Sequence, residues 1–332
     1  SPSALWEPVP RDDIDAVLVG SCDHWHVLHA LAAARTGKDM YVEKPLGVSL
    51  AEDQALRAAI HVHGNVFQFG TQQRSSANFR VACELVRNGY IGELHTVRVG
   101  SPASIVQPAD PPVPVPDSID YEMWLGPAPW APYTEKRVVN QYWWHMTDYA
   151  LGFVAGWGIH HLDIAQWGLG TDDTGPLSAE GAGVFPDEGM CDCATAWHVE
   201  CRYGNGVRMV YTDNAEQPQG VTFEGSEGTV YVKRGVLETK PESLLRVQLR
   251  PEELHLYKSN DHVGNFLDCV QSRAHTVCPI DVAVRSGTLC HLSDIAMRTG
   301  RRLEWDPAEE RFVDDDVANA MLERAMRAPW HL

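Results

Sequence analysis

Three short apolar runs in the first ninety residues alternate with longer stretches that favour helix. The runs cover residues 16–19, 39–42 and 66–69. Runs of this length, rich in Val, Leu and Phe, are typical of strands that are buried on both faces of a parallel sheet. Helices are predicted over 27–36, 49–63 and 78–88, each followed by a glycine that favours a helix end. This alternation predicts a parallel sheet with right-handed crossover connections.

The pattern changes after residue 92. Between 195 and 233, short alternating segments separated by Gly indicate antiparallel strands. The other predicted elements are a strand (94–99), an extended proline-rich loop (102–116) and three helices (153–167, 260–272 and 281–299). We therefore expect two domains, over 1–92 and 93–332, the second an α/β domain with a largely antiparallel open sheet.

Composition narrows the class of protein. A length of 332 residues is consistent with two domains. Lys and Arg number 27 and Asp and Glu number 45, so the net charge is −18, and we expect no nucleic-acid or membrane partner. No apolar run is long enough to span a bilayer, and no signal peptide is recognisable. The eight cysteines are scattered without a CxxC pair, which predicts free thiols, a reducing cytoplasmic location and no metal site.

Polar residues follow each predicted strand of the first sheet. These three tips are Ser21-Cys22-Asp23-His24-Trp25-His26, Glu43-Lys44-Pro45 and Thr71-Gln72-Gln73-Arg74. Ligands of open α/β sheets bind beyond the carboxyl ends of the strands, so the tips should converge on a site. Lys44 stands out because Pro45 restricts the backbone that directs its side chain. His24 and His26 would face the same way on an extended segment, which leaves a metal site as the weaker alternative.

One motif is absent. A dinucleotide-binding domain opens with a strand, a GxGxxG loop and a helix, and no GxGxxG occurs in this chain. The chain also starts at Ser1 without Met. We therefore expect that the first βαβ unit, a segment of roughly 60 or more residues, precedes Ser1 in the natural protein. Without it, the first predicted strand would lie at a sheet edge and NAD should bind poorly to this chain.

The residues at 21–26, 43–45 and 152–167 resemble those of the glucose–fructose oxidoreductase / inositol dehydrogenase / MocA family. The resemblance implies an NAD(P)-dependent oxidoreductase that acts on a sugar or cyclitol. It also implies a Rossmann domain over 1–92, here partial, and a substrate and dimerisation domain over 93–332. A homo-oligomer, dimer or tetramer, would form through the sheet of that second domain.

The resemblance also assigns roles to individual residues. Lys44 and His160 match the catalytic lysine and histidine of the family. The expected cofactor-binding residues, for NAD or NADP, are Ser21, Asp23, His24, His26, Glu43, Lys44 and Pro45. Residues proposed to contact substrate hydroxyls are Gln72, Arg74, Trp143, His161 and Asp163. Gly156 departs from the family pattern, because many members have Asp four residues before the catalytic histidine; Asp163 or Asp148 could substitute.

Other interpretations remain open from the sequence. His160 could be a core histidine, and the Trp residues between 121 and 144 could fill a core or a subunit contact instead of covering a sugar ring. The absence of a GxSxG elbow and of a P-loop argues against serine hydrolases and nucleoside triphosphatases. Two alternatives within the same fold are a glycosidase or lyase that uses transient oxidation by NAD, and an inactive sugar-binding protein.

Overall fold

The computed structural model describes residues 11–332, the side chain at position 140 excepted; Ser1 and the expected segment before it lie outside this range. The first sheet contains β1 (Ala16–Val19), β2 (Asp39–Val42) and β3 (Phe67–Phe69). The second contains β4 (Leu94–Ser101), β5 (Ser178–Val184), β6 (Ala196–Arg202), β7 (Arg208–Asp213), β8 (Gly220–Gly225), β9 (Thr229–Lys233), β10 (Val236–Lys240), β11 (Leu303–Asp306) and β12 (Arg311–Phe312).

The helices connect and cover these strands. In chain order they are α1 (Asp23–Arg35), α2 (Leu50–His63), α3 (Ala77–Arg87), α4 (Tyr121–Leu125), α5 (Asn140–Trp143), α6 (Gly152–Gly156), α7 (Gly158–Leu169), α8 (His262–Ser272), α9 (Ile280–Thr299) and α10 (Asp316–Ala320). None of the helices within 11–332 is both long enough and apolar enough to cross a membrane.

The first sheet is parallel, with strand order β1-β2-β3, as the alternating pattern predicts. Its two faces are covered by different parts of the chain. Met40 and Val42 of β2 lie in the main core with residues of α1 and α2, while Tyr41 points the other way and packs edge-on against Phe266 of α8, with ring centroids 6.1 Å apart. Because side chains alternate along a strand, β2 joins both layers.

Helix α1 begins earlier than predicted. The expected start was residue 27, whereas the helix starts at Asp23, with Cys22 as its N-cap residue. His24 and His26 therefore lie in the first turn of a helix, where residues two apart do not share a face. The expectation of an extended segment was wrong. The argument that these two histidines face the same way and could share a metal ion therefore no longer applies.

Strand β1 lies at the edge of the first sheet, as expected, and within residues 11–332 it pairs only with β2. Leu18 at the centre of this strand is 68% exposed. The boundary between 92 and 93 stays a prediction. Strand β4 begins just after it, at Leu94, but helix α8 returns from the second part of the chain to cover the first sheet.

The second sheet has the order β10-β9-β8-β4-β7-β6-β5-β11-β12. Strand β4 runs parallel to β7 and antiparallel to β8, and the remaining pairs are antiparallel. The predicted fold class, a partial Rossmann sheet followed by an α/β domain with a largely antiparallel sheet, is confirmed.

The helix predicted over 153–167 is divided into α6 and α7 at Trp157. Tyr211 of β7 lies against this break, and its hydroxyl donates to the carbonyl oxygen of Val154 over 2.9 Å. A Cβ at position 158 would overlap that hydroxyl, so only glycine lets α7 approach the sheet this closely. The break directs the backbone of Gly156 towards the first sheet.

A buried ion cluster joins the first sheet to α7. Arg74, in the turn after β3, is 2% exposed. Its Nε donates to Asp163 of α7 over 2.8 Å, and its Nη2 donates to Asp172 over 2.7 Å. Ser286 of α9 donates to the same Asp163 carboxylate over 2.8 Å. Burial alone would lower the pKa of Arg74, but the two carboxylates outweigh it and hold that pKa well above its ordinary value.

We expect Asp163→Asn to lower the free energy of unfolding by about 3 kcal/mol, because it removes one charge from a buried pair and leaves Arg74 incompletely compensated. Urea unfolding measures this change. The control is Arg250→Ala, whose side chain is 68% exposed and whose loss should cost less than about 1 kcal/mol. Equal losses in the two variants would show that the Arg74 cluster does not hold α7 in place.

Candidate functional site

A cavity of about 290 Å³ lies at the carboxyl ends of β1 and β2. Its walls come from the first two predicted tips and from the aromatic segment before α6. The lining residues are Gly20, Ser21, Cys22, Asp23, His26, Glu43, Lys44, Trp143 and Trp144. The third tip reaches the rim: Gln72 is exposed and its side chain donates to Tyr41 Oη over 3.0 Å and to Glu43 over 3.3 Å. The first two tips therefore converge on this cavity as predicted, and the third reaches its edge through Gln72.

Lys44 bridges the two parts of the chain. Its Nζ donates to the carbonyl oxygen of Gly156 over 2.8 Å and lies 5.6 Å from the centre of the Trp144 ring. The family pattern puts Asp at position 156. Here a backbone carbonyl accepts from the lysine instead, so the ammonium is oriented without having its charge neutralised.

Asp23 is a buried carboxyl group in the cavity wall. One of its oxygens, Oδ2, has no hydrogen-bond partner among the described residues. Burial raises its pKa to about 8, and the charge of Lys44 offsets this effect only in part. The group is therefore protonated at pH 7 and available to donate a hydrogen bond to a ligand.

His26 holds the first two tips together. Its Nδ1 lies 2.7 Å from the carbonyl oxygen of Pro45 and its Nε2 lies 2.9 Å from that of Ser21. The tautomer decides which contact is the hydrogen bond, and either one couples the tip after β1 to the tip after β2. His26 thus positions the backbone around Lys44.

His24 lies away from this cavity. Its Nε2 is 3.0 Å from the carbonyl oxygen of Trp124, and its ring packs on Tyr149 with centroids 5.1 Å apart. Burial lowers its pKa to about 4, so it is neutral. It lines a separate cavity, together with Asp148. The structure gives neither residue a contact with Lys44 or His160.

His160 is on α7, one helical turn after Gly156, and is 3% exposed. Burial lowers its pKa well below the ordinary value, and the positive charges of Lys44 and Arg234 lower it further. Its Nδ1 has no partner among the described residues. The ring of Trp157 meets it edge-on, with centroids 5.9 Å apart. His160 is therefore a neutral imidazole close to two cations.

The adjacent His161 has a different environment. Its Nδ1 lies 2.8 Å from the carbonyl oxygen of Gly100 in β4, and burial lowers its pKa to about 4. Neighbouring residues of a helix point about 100° apart, which separates the two histidines as expected. His161 packs α7 onto the second sheet, and the structure does not bring it to the cavity.

Arg74 and Asp163 are also not brought to the cavity. They satisfy each other inside the ion cluster described above, which removes the reason for assigning either to a substrate hydroxyl. Asp163 therefore does not stand in for the family Asp. Trp143 does line the cavity, and its ring meets that of Trp144 with centroids 5.5 Å apart.

The structure adds residues that the sequence analysis missed. Gln73, oriented so that both ends of its amide are paired, donates to the carbonyl oxygen of His160 over 2.8 Å and accepts from Arg234 Nε over 3.3 Å. Arg234 lies in the turn between β9 and β10, with its guanidinium carbon 4.9 Å from the centre of the Trp157 ring. Gln73 was within a predicted tip, but no local signal marks Arg234, because only the pairing of β9 with β10 places that turn beside α7.

The cavity suits one end of a nicotinamide dinucleotide. An unpaired, protonated Asp23 matches a ligand amide, and the aromatic wall matches a flat ring. The cavity-lining residues fit the nicotinamide end of the dinucleotide. The glycine-rich loop that would hold its pyrophosphate does not occur in the sequence. Within residues 11–332, no group of three or more His, Cys, Asp or Glu is arranged to hold a metal ion, and all eight cysteines are free thiols.

The chain resembles several known proteins. It is 23% identical to the uncharacterized oxidoreductase YrbE of Bacillus subtilis over 313 residues, 90% of this chain and 80% of that protein. It is 32% identical to the myo-inositol 2-dehydrogenase of Thermotoga maritima over 107 residues, 32% of this chain and 31% of that enzyme. Its fold is similar to that of the WlbA dehydrogenase of Bordetella pertussis in complex with NADH and UDP-GlcNAcA, with a TM-score of 0.65 and 15% identity. The match covers 92% of this chain and 83% of the WlbA chain.

Two family models match the chain. Residues 4–71 match the one described as "Oxidoreductase family, NAD-binding Rossmann fold". Residues 106–332 match the one described as "Oxidoreductase family, C-terminal alpha/beta domain". Since the second match alone covers more than half of the chain, the protein belongs to the glucose–fructose oxidoreductase / inositol dehydrogenase / MocA family of NAD-binding oxidoreductases.

Proposed function

We propose that this protein is an NAD(P)-dependent dehydrogenase that oxidises a hydroxyl-bearing carbon of a sugar or cyclitol. The observation that carries this proposal is the contact of Lys44 Nζ with the Gly156 carbonyl, which places an uncancelled cation one helical turn from a neutral His160. The myo-inositol dehydrogenase relative supports a cyclitol or sugar as substrate.

The residues that would hold the nicotinamide end are those of the cavity wall. Ser21, Asp23 and Glu43 of the first two tips line it, Pro45 contacts His26 behind it, and the protonated Asp23 would donate to the carboxamide of the ring. The bound cofactor supplies the hydride acceptor. His26 keeps these two tips at a fixed distance from each other.

Lys44 would bind the oxygen that reacts. As the substrate hydroxyl loses its proton, negative charge grows on that oxygen, and a positioned ammonium stabilises it. A carboxylate at position 156 would cancel part of the lysine charge, whereas the carbonyl that is present leaves it intact. Trp144 confines the Lys44 side chain on another side.

His160 would accept the hydroxyl proton. It is in the basic form at pH 7 because its pKa is lowered. The cofactor held by the cavity wall would supply the acceptor for the hydride of the substrate carbon, and His160 would take the proton of the oxygen. A carbonyl product, the reduced cofactor and one proton would then account for all atoms and electrons. Lys44 and Arg234 disfavour the imidazolium, so the proton is readily passed on to solvent.

Replacing Lys44 with Met should lower kcat at least about a hundredfold while the affinity for NADH changes little, because the charge on the reacting oxygen is lost and the cofactor contacts remain. NADH formation with a panel of sugars and cyclitols, and NADH fluorescence titration, measure the two quantities in the full chain. Lys136→Met, which removes a lysine stacked on Tyr142, is the matched control.

Turnover of the Lys44→Met variant close to that of the unmodified chain would refute the role of Lys44. Release of a sugar from a glycoside without net NADH formation would instead favour the glycosidase or lyase alternative.

Introducing the family carboxylate at position 156 should move the pH dependence. A Cβ there meets only Phe153 Cδ1, at 3.5 Å, so Gly156→Asp is accommodated. With the lowered pKa of His160, kcat/KM should fall on the acid side only below the ordinary histidine value of about 6.5. The new carboxylate beside Lys44 offsets the charge of the lysine and raises the pKa of His160. The fall of kcat/KM on the acid side, the acid limb of the profile, should therefore move to higher pH.

The control is Gly156→Ala, which adds the Cβ without the charge and should leave the acid limb where it was. An identical pH profile in all three proteins would show that the charge of Lys44 does not reach His160.

A further inference from the structure

Arg234 is an exposed residue whose guanidinium is held in place by its neighbours. Its guanidinium carbon lies over the Trp157 ring, 4.9 Å from the ring centre, and its Nε donates to Gln73 over 3.3 Å. Its two terminal nitrogens have no hydrogen-bond partner among residues 11–332. Stacking of this kind orients a guanidinium and leaves its outer edge free to bind two oxygens at once.

The electrostatic setting of Arg234 is unusual for so acidic a chain. The protein has 45 acidic and 27 basic residues, yet in the described part of the chain no carboxylate lies within 4.0 Å of Arg234 or of the Lys44 ammonium. By contrast, Arg57 and Arg285 share Glu310. Two cations without carboxylate partners therefore flank His160.

Two acidic residues, Asp23 and Glu43, lie close to Lys44 in the cavity wall. Asp23 is protonated at neutral pH, because burial raises its pKa to about 8. Glu43 accepts from the backbone N–H of Lys44 and from Gln72, both over 3.3 Å, on the rim of the cavity. Neither carboxyl group forms an ion pair with the Lys44 ammonium or with Arg234, so the outer edge of the Arg234 guanidinium is open to an external anion.

We infer that the substrate carries an anionic group, a carboxylate or a phosphate, and that Arg234 binds it. This inference rests on the proposed function and specifies its substrate class as sugar acids or sugar phosphates. The planar fork of a guanidinium matches two oxygens of either group. The bound anion also offsets the positive charge that acts on His160, so it favours proton transfer to the imidazole at the moment when the substrate is present.

The test compares anionic with neutral substrates in the full chain supplied with NAD⁺ or NADP⁺. The probes are D-glucuronate and D-glucose 6-phosphate against D-glucose and myo-inositol. We expect kcat/KM for one of the anionic probes to exceed that for D-glucose at least about tenfold. Whichever anion is preferred identifies the carboxylate or the phosphate as the recognised group.

Arg234→Gln should remove that preference. It should raise KM for the anionic substrate about tenfold or more with a smaller change in kcat, so that the ratio of kcat/KM between the anionic and the neutral probes falls to near one. Lys233→Gln, the same change of charge at the adjacent exposed residue, is the control and should have no effect. Arg234→Lys keeps the charge without the fork and should recover only part of the preference.

Binding measured without turnover separates this inference from the proposed function. Titration of D-glucuronate and of inorganic phosphate, followed by the NMR signals of the His160 imidazole, should show saturable shifts that Arg234→Gln weakens. Oxidation of neutral sugars as efficient as that of the anionic ones, unchanged in Arg234→Gln, overturns the inference and leaves the dehydrogenase intact. Saturable, Arg234-dependent anion binding without oxidation of any probe supports the inference and counts against the dehydrogenase.

Discussion

The site depends on the burial of one charged side chain. A guanidinium removed from water must be compensated, and Arg74 obtains its compensation from Asp163 and Asp172. Because Arg74 follows β3 and Asp163 is on α7, this pairing docks α7 against the end of the first sheet. His160 is on the same helix, so the cluster that satisfies Arg74 also determines where the imidazole lies relative to Lys44.

The second constraint is the close approach of α7 to the sheet beneath it. Tyr211 occupies the space where a side chain at 158 would be, and its hydroxyl binds the carbonyl oxygen of Val154. The chain therefore breaks between α6 and α7 and turns the Gly156 carbonyl towards Lys44. A backbone oxygen then orients the lysine, at a position where the family pattern has Asp and this chain has Gly.

Environment, more than residue type, gives the ionisable groups of the site their states. Burial keeps Asp23 protonated and His160 neutral at the same pH. A carbonyl oxygen accepts from Lys44 and an aromatic ring lies under Arg234, so neither side chain is paired with a carboxylate. The result is a hydrogen-bond donor and a cation in the cavity wall, Asp23 and Lys44, with a neutral base and a second cation, His160 and Arg234, near Lys44, a combination suited to the proposed oxidation of an anionic substrate.

The sequence by itself determined the parallel sheet, the change to antiparallel strands and the convergence of the first two tips, because these follow from local apolar periods and from the rule that strand ends share an edge. Through a resemblance it also predicted catalytic roles for Lys44 and His160 and singled out Gly156 as a departure from the family pattern. It misplaced Arg74, Asp163 and His161, since a polar residue near a strand tip can satisfy a buried partner as well as a ligand. Only the tertiary structure decided which of these it does, and only the pairing of β9 with β10 brought Arg234 to His160. Long-range pairing and burial set those contacts and charge states, and neither is encoded in local spacing.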